Sequence, residues 1–379
     1  MSDGAPQLEL DPPAGAWASL VRSDINSRDD RERLGLPTDR PIVMAGHQAG
    51  LWHPGIAAKL LAAHALADRI GGAAVWLIID TTDDDPLRYR APLRDESGRY
   101  REHTLTLGDD TPTTTNPRGD RLAAIRAAFD RQQEGEPEAV RVTRAAIELL
   151  GCSMPTLIRS SELPQTSAFD ELASRFRSQP DEMRDAYNRA VESHPTAGVN
   201  TLGEGETPFW RLTPSGARLP ARQDHLDQDL QPRALVTTGV ARAALCDLFI
   251  HGTGGRGYEP INDDWLPDAM GWQLAPFVTA SATLRLRFEG DAVSHGQAEQ
   301  ARWRAHHARH HPGLLGNADR QAERDRIVRS IEELPAGEPG RAGLLAERHR
   351  VLDQDQWEKA TRLAARGAEA SELAERAGE

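Results

Sequence analysis

The chain has 379 residues, a formal charge of −13 and 27% charged side chains, which is length enough for one large domain or two smaller ones with a sizeable core. The negative balance argues against general nucleic-acid binding, because a phosphate backbone is repelled unless a basic patch is segregated, and it leaves room for an anionic small molecule in a local positive pocket. Two distant cysteines, Cys152 and Cys246, exclude a cysteine-rich zinc site, and with no membrane-length apolar run and no signal-like start the expectation is a cytoplasmic protein without membrane partners.

Residues 1–40 are rich in Pro, Asp and Arg and read as an arm with one short helix. PIVMA (41–45) reads as a short buried strand. From Pro54, PGIAAKLLAAHALADRI sets Ile56, Leu60, Ala63, Ala67 and Ile70 at the helical period. Pro54 suits the first turn of that helix and Gly71-Gly72 its end. AAVWLII (73–79) is a continuous apolar run, which suits a strand buried on both faces. Strand, helix and strand in about forty residues make a βαβ unit. YRAPLRDESGRYREHTLTL then reads as a hairpin, followed by helices at about 118–134 and 137–150, a strand at 155–160, and helices at 167–178 and 181–193. ETPFWRL (206–212) reads as a strand. ALVTT (234–238) reads as a strand leading into a helix, GVARAALCDLFI (239–250), which GTGGRG breaks. FVTASATLRLRF (277–288) alternates at Leu284, Leu286 and Phe288.

From about residue 292 the chain is charged and helical. Ile327, Ile331, Leu344, Leu345, Val351, Leu352, Trp357 and Leu363 form a thin apolar stripe, which suits an antiparallel hairpin or coiled coil. The expected fold class is therefore α/β: a Rossmann-like parallel sheet core at 41–290, with helical insertions around 116–195, between the arm (1–40) and a C-terminal α-helical hairpin or coiled coil (291–379).

GHQAGLWHPG (46–55) carries more chemistry than a turn needs. Ligands of open α/β sheets bind outside the carboxyl ends of the strands. GHQAGLWH after the first strand and DTTDDD (80–85) after the second then share one edge, which brings His47, Gln48, His53, Asp80, Thr81 and Asp83 together. The helix from Pro54 turns its free N–H groups and positive dipole end to that edge, and Lys59 adds a charge, which suits an anion. Gly46 and its neighbours let backbone approach a ligand. The plainer alternatives are turn glycines, a solvated Lys59 off the helix's apolar face, and an acidic surface turn.

A second cluster surrounds Gly252–Gly257, a literal GxGxxG, with His251, Arg256, Tyr258 and Asp263. Because it follows an expected helix, the dinucleotide fingerprint lacks its context; the alternative is a glycine-rich helix connection. Glu206 beside Phe209 and Trp210 is a third cluster, or else a core strand. HHARHH (306–311) has metal-like i,i+4 spacing but no third ligand, so no metal is assigned.

PIVMAGHQAGLWHPGIAAKLLAAHALA, AVWLIIDTTDDD and PRALVTTGVARAALCDLFIHGTGGRGYE resemble segments of the bacillithiol biosynthesis cysteine-adding enzyme family (BshC), best over 41–90 and 230–265. His47 stands where the family's loop has its first glutamine, and the acidic strand end lacks the family's histidine. The resemblance implies a Rossmann-like core, a nucleotide-sized pocket with ATP or ADP and Mg²⁺ as candidate cofactors, the joining of an amine to an activated acyl group, and dimerisation through the C-terminal helices. His47 is then a general acid/base, and Gln48 orients the substrate. Asp80 and Asp83 bind an amine, a ribose hydroxyl or Mg²⁺. The ligand-binding set is Gly46, His53, Lys59, Thr81, Glu206, Trp210, Arg233, His251, Gly252, Gly254, Gly255, Tyr258 and Asp263. Two other classes stay open: a hydrolase in which the same acid and histidine edge activates water, with or without a metal, and a non-catalytic ligand-binding or scaffold protein that assembles through its helical arm.

Overall fold

The computed structural model of the chain describes residues 7–22, 28–94, 100–107, 119–133, 135–213, 217–284 and 318–335, with isolated positions between 303 and 347. Two compact units emerge: residues 1–90 with 104–285, and residues 91–103 with 286–379.

In the first unit, residues expected as an arm supply β1 (Gln7–Asp11), α1 (Trp17–Leu20) and α2 (Arg28–Arg33). The expected βαβ unit follows as β2 (Ile42–Gln48), α3 (Pro54–Ile70) and β3 (Ala73–Ile79). β2 runs three residues past its expected end, because β3 keeps pairing with it: His47 lies opposite Ile78 and Gln48 opposite Ile79. His47 and Gln48 are therefore strand residues, held by a ladder and not by a loop. α3 begins with Pro54 and ends at Gly71, whose φ of 66° is the left-handed conformation that only glycine adopts without strain.

β4 (Arg88–Arg94) and β5 (Tyr100–Thr106) pair as a two-stranded ribbon. α4 (Gly119–Asp130), α5 (Glu138–Leu149), β6 (Thr156–Arg159), α6 (Ser167–Ser178) and α7 (Pro180–Ser193) lie where the sequence predicts them. β7 (Glu206–Leu212), β8 (Arg218–Arg222) and β9 (Leu230–Pro232) form a separate antiparallel sheet in the order β8-β7-β9.

The next segment reverses the expectation. Residues expected as a strand form α8 (Ala234–Val240), and the end of the expected helix is β10 (Leu248–His251). Apolar runs this short fit either element, and tertiary pairing decides: Leu248, Phe249 and Ile250 lie in parallel register with Val43, Met44 and Ala45 of β2. The glycine run therefore follows a strand, contrary to expectation, and opens a helix, α9 (Thr253–Met270), which leads to β11 (Phe277–Thr283).

The six-stranded sheet has the order β1-β11-β10-β2-β3-β6. All its pairs are parallel except β1 with β11. From β2 the chain steps outward through β3 to β6, returns to β10 on the other side of β2, and continues to β11. The direction of travel thus reverses between β2 and β10. Strand periodicity divides the core: Val43, Ala45, Trp76, Ile78, Leu248 and Ile250 pack with Ile56, Leu60, Ala63 and Ala67 of α3. Ile42, Met44, Val75, Leu77 and Phe249 pack with Phe169, Tyr187, Leu235 and Trp265 of α6 to α9. Each large aliphatic side chain so buried contributes about 1.5–3 kcal/mol, which makes the sheet a rigid platform for whatever its edge carries.

In the second unit, α10 (Ala318–Glu333) buries Ile327 and Ile331 against Leu344. The rest of the expected hairpin, with His306, His310 and His311, lies outside the described residues, as do Leu286 and Phe288. Among the described residues no helix is long and apolar enough to cross a membrane.

Candidate functional site

At the carboxyl edge of β2, Gly46 lies so close to β3 that a Cβ there would come within 2.4 Å of the Leu77 carbonyl oxygen. Its own carbonyl is turned to Lys59, whose Nζ donates to it at 2.6 Å. Lys59 is thus not on a solvated face: its side chain is only 6% exposed, and Nζ lies 5.7 Å from the Trp76 ring centre. No carboxylate pairs with it among the described residues. Burial alone pushes its pKa down to about 7, because a low-dielectric surrounding penalises the charged form.

His47 stands beside it on β2. Burial, then the charges of Lys59 and His53, lower its pKa to about 3. No described residue makes a hydrogen bond to its ring. His53 has a structural role, since its Nδ1 accepts the Gly55 N–H at 3.0 Å and caps α3. Burial and then Lys59 lower its pKa too. Trp52 leans on Trp76 at 4.6 Å between ring centres, and the indole N–H of each is buried without an acceptor among the described residues. Gln48 is exposed at the end of the strand.

Across the point of strand reversal, β10 ends in His251, and Gly252 follows as the first residue of the loop. A Cβ at Gly252 would sit 3.7 Å from Lys59 Cδ, so the lysine stem bridges the ends of β2 and β10. His251 is buried between Phe249, Tyr258 and Phe277. Its Nε2 is 3.2 Å from Glu259 Oε1, within ion-pair reach but without hydrogen-bond alignment. Gly255 exists for this ring, since a Cβ there would lie 2.1 Å from His251 Nδ1. Glu259 also accepts from Arg242 at 2.6 Å, and Arg242 continues to Asp263. Burial would raise the Glu259 pKa, but the charge of His251, then its proximity as a donor and Arg242, hold it down at about 2. Tyr258 is pushed well above the ordinary phenol range by burial and then by Glu259.

Asp80 and Thr81 are at the predicted edge but engaged elsewhere. Asp80 Oδ1 accepts from Ser160 Oγ and Ser161 N, both at 2.9 Å, and Oδ2 accepts from Ser161 Oγ at 2.6 Å. Thr81 Oγ1 lies 3.2 Å from Ser160 Oγ. These contacts tie the end of β3 to the end of β6.

Asp83 joins a third group. It accepts from the Arg218 guanidinium at 3.1 Å, whose hydrogen bond lowers the Asp83 pKa. Arg218 and Arg233 both lie over the Trp210 ring, at 5.2 and 4.3 Å. Arg233 donates to Glu206 at 2.8 Å; burial would raise the Glu206 pKa, and this bond, the Gly203 amide and the charges of Arg233 and Arg222 together hold it below its ordinary value. The seventeen predicted residues therefore fall into four groups: the β2–α3 recess, the β10–α9 network, the β3–β6 tie and the β7 ribbon.

One signal was missed in the sequence. The chain holds 43 arginines and two lysines, Lys59 and Lys359. Arginine cannot shed its proton in a protein, whereas a buried lysine can, so Lys59 differs chemically from the arginines that fill the chain's other basic positions. Ser160, Ser161, Arg242 and Glu259 were also unforeseen, as polar partners whose role exists only once distant strands meet. Among the described residues no group of three or more His, Cys, Asp or Glu is placed to hold a metal ion. The sequence matches no model of a known family and no curated protein.

Proposed function

We propose that the protein is a BshC-like enzyme with a Rossmann-like core, which binds a nucleotide or phosphorylated sugar at the junction of β2 and β10 and forms a C–N bond there. The observation that carries this reading is the recess of Lys59, His47 and His53 at the point of strand reversal, the place where open α/β sheets hold ligands. Three basic groups converge there, with no carboxylate paired to Lys59, in a chain of charge −13. Such a recess favours an anion over any cation.

His47 is neutral near pH 7 and its ring makes no hydrogen bond among the described residues, so a lone pair is available to take the proton of an attacking amine. Without an anion beside it His47 is a weak base, since its pKa is about 3 and efficient general bases titrate near the working pH. An anion beside it offsets the repulsion from Lys59 and His53 and raises its basicity, so ligand binding prepares the base. Gln48 at the strand end orients the acyl acceptor. ATP or ADP is the candidate nucleotide, with Mg²⁺ able to accompany its phosphates. A helical C-terminal hairpin serves self-association as a homodimer.

Calorimetric titration with a panel of nucleotides and sugar phosphates tests the binding half. A member that binds stabilises the fold by mass action, by about 2.7 kcal/mol at a hundredfold excess over Kd, and so raises the melting temperature. Incubation with cysteine, an amino sugar whose amine is free, and ATP with Mg²⁺ to activate the cysteine carboxylate, read by mass for an amide product and for release of ADP and phosphate or of AMP and pyrophosphate, tests the chemical half. Product that persists undiminished in His47→Ala would remove His47 from the reaction.

A further inference from the structure

A primary amine meets an acyl group at neutral pH as an ammonium, and the amide nitrogen it becomes keeps one hydrogen. Two protons must therefore leave it, one before attack and one from the tetrahedral adduct. His47 can take one of them. Its recess is a poor place for the other, because the charges of Lys59 and His53 already disfavour a proton there.

The other side of the strand reversal has the opposite electrostatic character. Arg242 sits on the π-helical turn Ala241–Leu245, anchored by its Nε bond to the Ala275 carbonyl at 2.8 Å, and faces two carboxylates, Glu259 and Asp263. One cation against two anions leaves this network with a negative charge while His251 is neutral. Glu259 is fully buried, one oxygen is fixed by Arg242, and the other, Oε1, lies against His251 Nε2. A carboxylate there draws the ring proton to Nε2 and leaves the lone pair on Nδ1. The contact is not yet aligned as a hydrogen bond, which is common before a substrate tightens such pairs. Nδ1 faces Gly255, which has no side chain to cover it. It has no partner among the described residues and, unlike Nε2, is not sealed from solvent. A carboxylate on one ring nitrogen and an open second nitrogen is the arrangement in which a histidine takes a proton and the acid stabilises the imidazolium.

We propose that His251 is the second proton acceptor of the amide-forming reaction, acting on a primary amine that arrives as ammonium, and that Glu259 is its positioning residue. The inference rests on the amide-forming reading above and adds to it the amine's side of the edge. The ammonium gives one proton to His251 Nδ1, and the freed lone pair attacks the activated acyl carbon. The C–N bond forms, and the adduct nitrogen gives its second proton to His47. The acyl C–O bond then breaks, and phosphate or AMP leaves with the electron pair. The surplus carboxylate of the network compensates the imidazolium that forms on His251.

Hydroxylamine separates this role from a structural one. Near neutral pH it arrives as the free base and needs a single proton acceptor, whereas an amino sugar arrives as ammonium and needs two. Full-length wild type, His251→Asn and Glu259→Gln are given cysteine, ATP and Mg²⁺ with either nucleophile, and amide and hydroxamate are read by mass. In His251→Asn amide formation falls by about a hundredfold, in kcat and not in KM, while hydroxamate formation falls by less than about tenfold, since only one of two positioned bases is lost. Glu259→Gln keeps the volume and an acceptor oxygen beside Nε2, and it shows the same selective loss at smaller size. It decides the question alone if His251→Asn does not fold. Equal losses of amide and hydroxamate mean that the network only holds the fold, which overturns the inference and leaves the amide-forming reading intact. Neither product from wild type overturns both.

Discussion

Two neighbouring stretches of one sheet edge carry similar numbers of polar side chains and treat them in opposite ways. At the ends of β3 and β6, the Asp80 oxygens accept three hydrogen bonds from Ser160 and Ser161. At the ends of β2 and β10, the His47 ring receives no hydrogen bond from any described residue, Lys59 has a single carbonyl, and the indole N–H groups of Trp52 and Trp76 have no acceptor among the described residues. Buried polar groups are normally satisfied. The first stretch is a structural tie whose capacity the protein consumes; the second keeps its capacity for something else. Sequence alone cannot draw this line, since Asp80 and His47 look equally suited to chemistry.

The comparison can be broken at either end. The largest effect is expected for His47→Ala in the amide-forming assay: turnover falls by about 10²–10⁴-fold, the usual contribution of a positioned acid or base, while ligand affinity changes little. Lys59→Met is next. Its ligand affinity falls, yet the variant is more stable near neutral pH, because removing a charge that is costly to bury outweighs the lost bond to the Gly46 carbonyl. The pH dependence has a definite sign. Lys59 titrates near 7 in the fold against 10.5 when unfolded, so the unfolded chain holds more protons between those values. Stability from this residue therefore rises with pH across about 7–10.5, at up to 1.4 kcal/mol per unit. Thermal unfolding between pH 7 and 9.5 should show that rise in wild type and a flatter profile in Lys59→Met. Equal profiles would mean that Lys59 is charged in the empty fold.

On the other stretch, Asp80→Asn should cost about 1–3 kcal/mol of stability, the penalty for leaving Ser160 and Ser161 mispaired, with phosphate affinity unchanged. A loss of affinity larger than the loss of stability explains would move Asp80 into the site. The smallest effect belongs to Asp83→Ala. Its ion pair with Arg218 is exposed, and such pairs add little, so the melting temperature should not change measurably.

The sequence made β2, α3, β3 and the paired helices α6 and α7 legible, because their periodicities are long and their ends carry Pro54, Gly71 and Pro180. It failed at α8 and β10. Ala234–Val240 and Leu248–His251 are both buried apolar runs of under eight residues, and only pairing with β2 decides which becomes the strand. That error concealed the context of GTGGRG. The convergence of His47, His53 and Lys59 was readable from the βαβ unit, but the burial of Lys59 was not, because its place on α3 depends on β10 and Gly252 closing over it. The division of Asp80 from His47 was hidden for the same reason: Ser160 and Ser161 lie about eighty residues away in sequence.

The most direct measurement uses the chain's scarcity of lysine. Protein labelled with ¹³C at lysine Cε gives two side-chain signals, from Lys59 and Lys359, and mutation to methionine assigns them. Titrated by NMR without ligand, the Lys59 signal should report a pKa of about 7. With saturating ADP or pyrophosphate its pKa should rise by well over one unit, as an anion settles against the amine. A Lys59 that titrates near 10.5 in the free protein, or whose pKa stays put when the ligand is bound, would contradict the claim that this recess is the binding site.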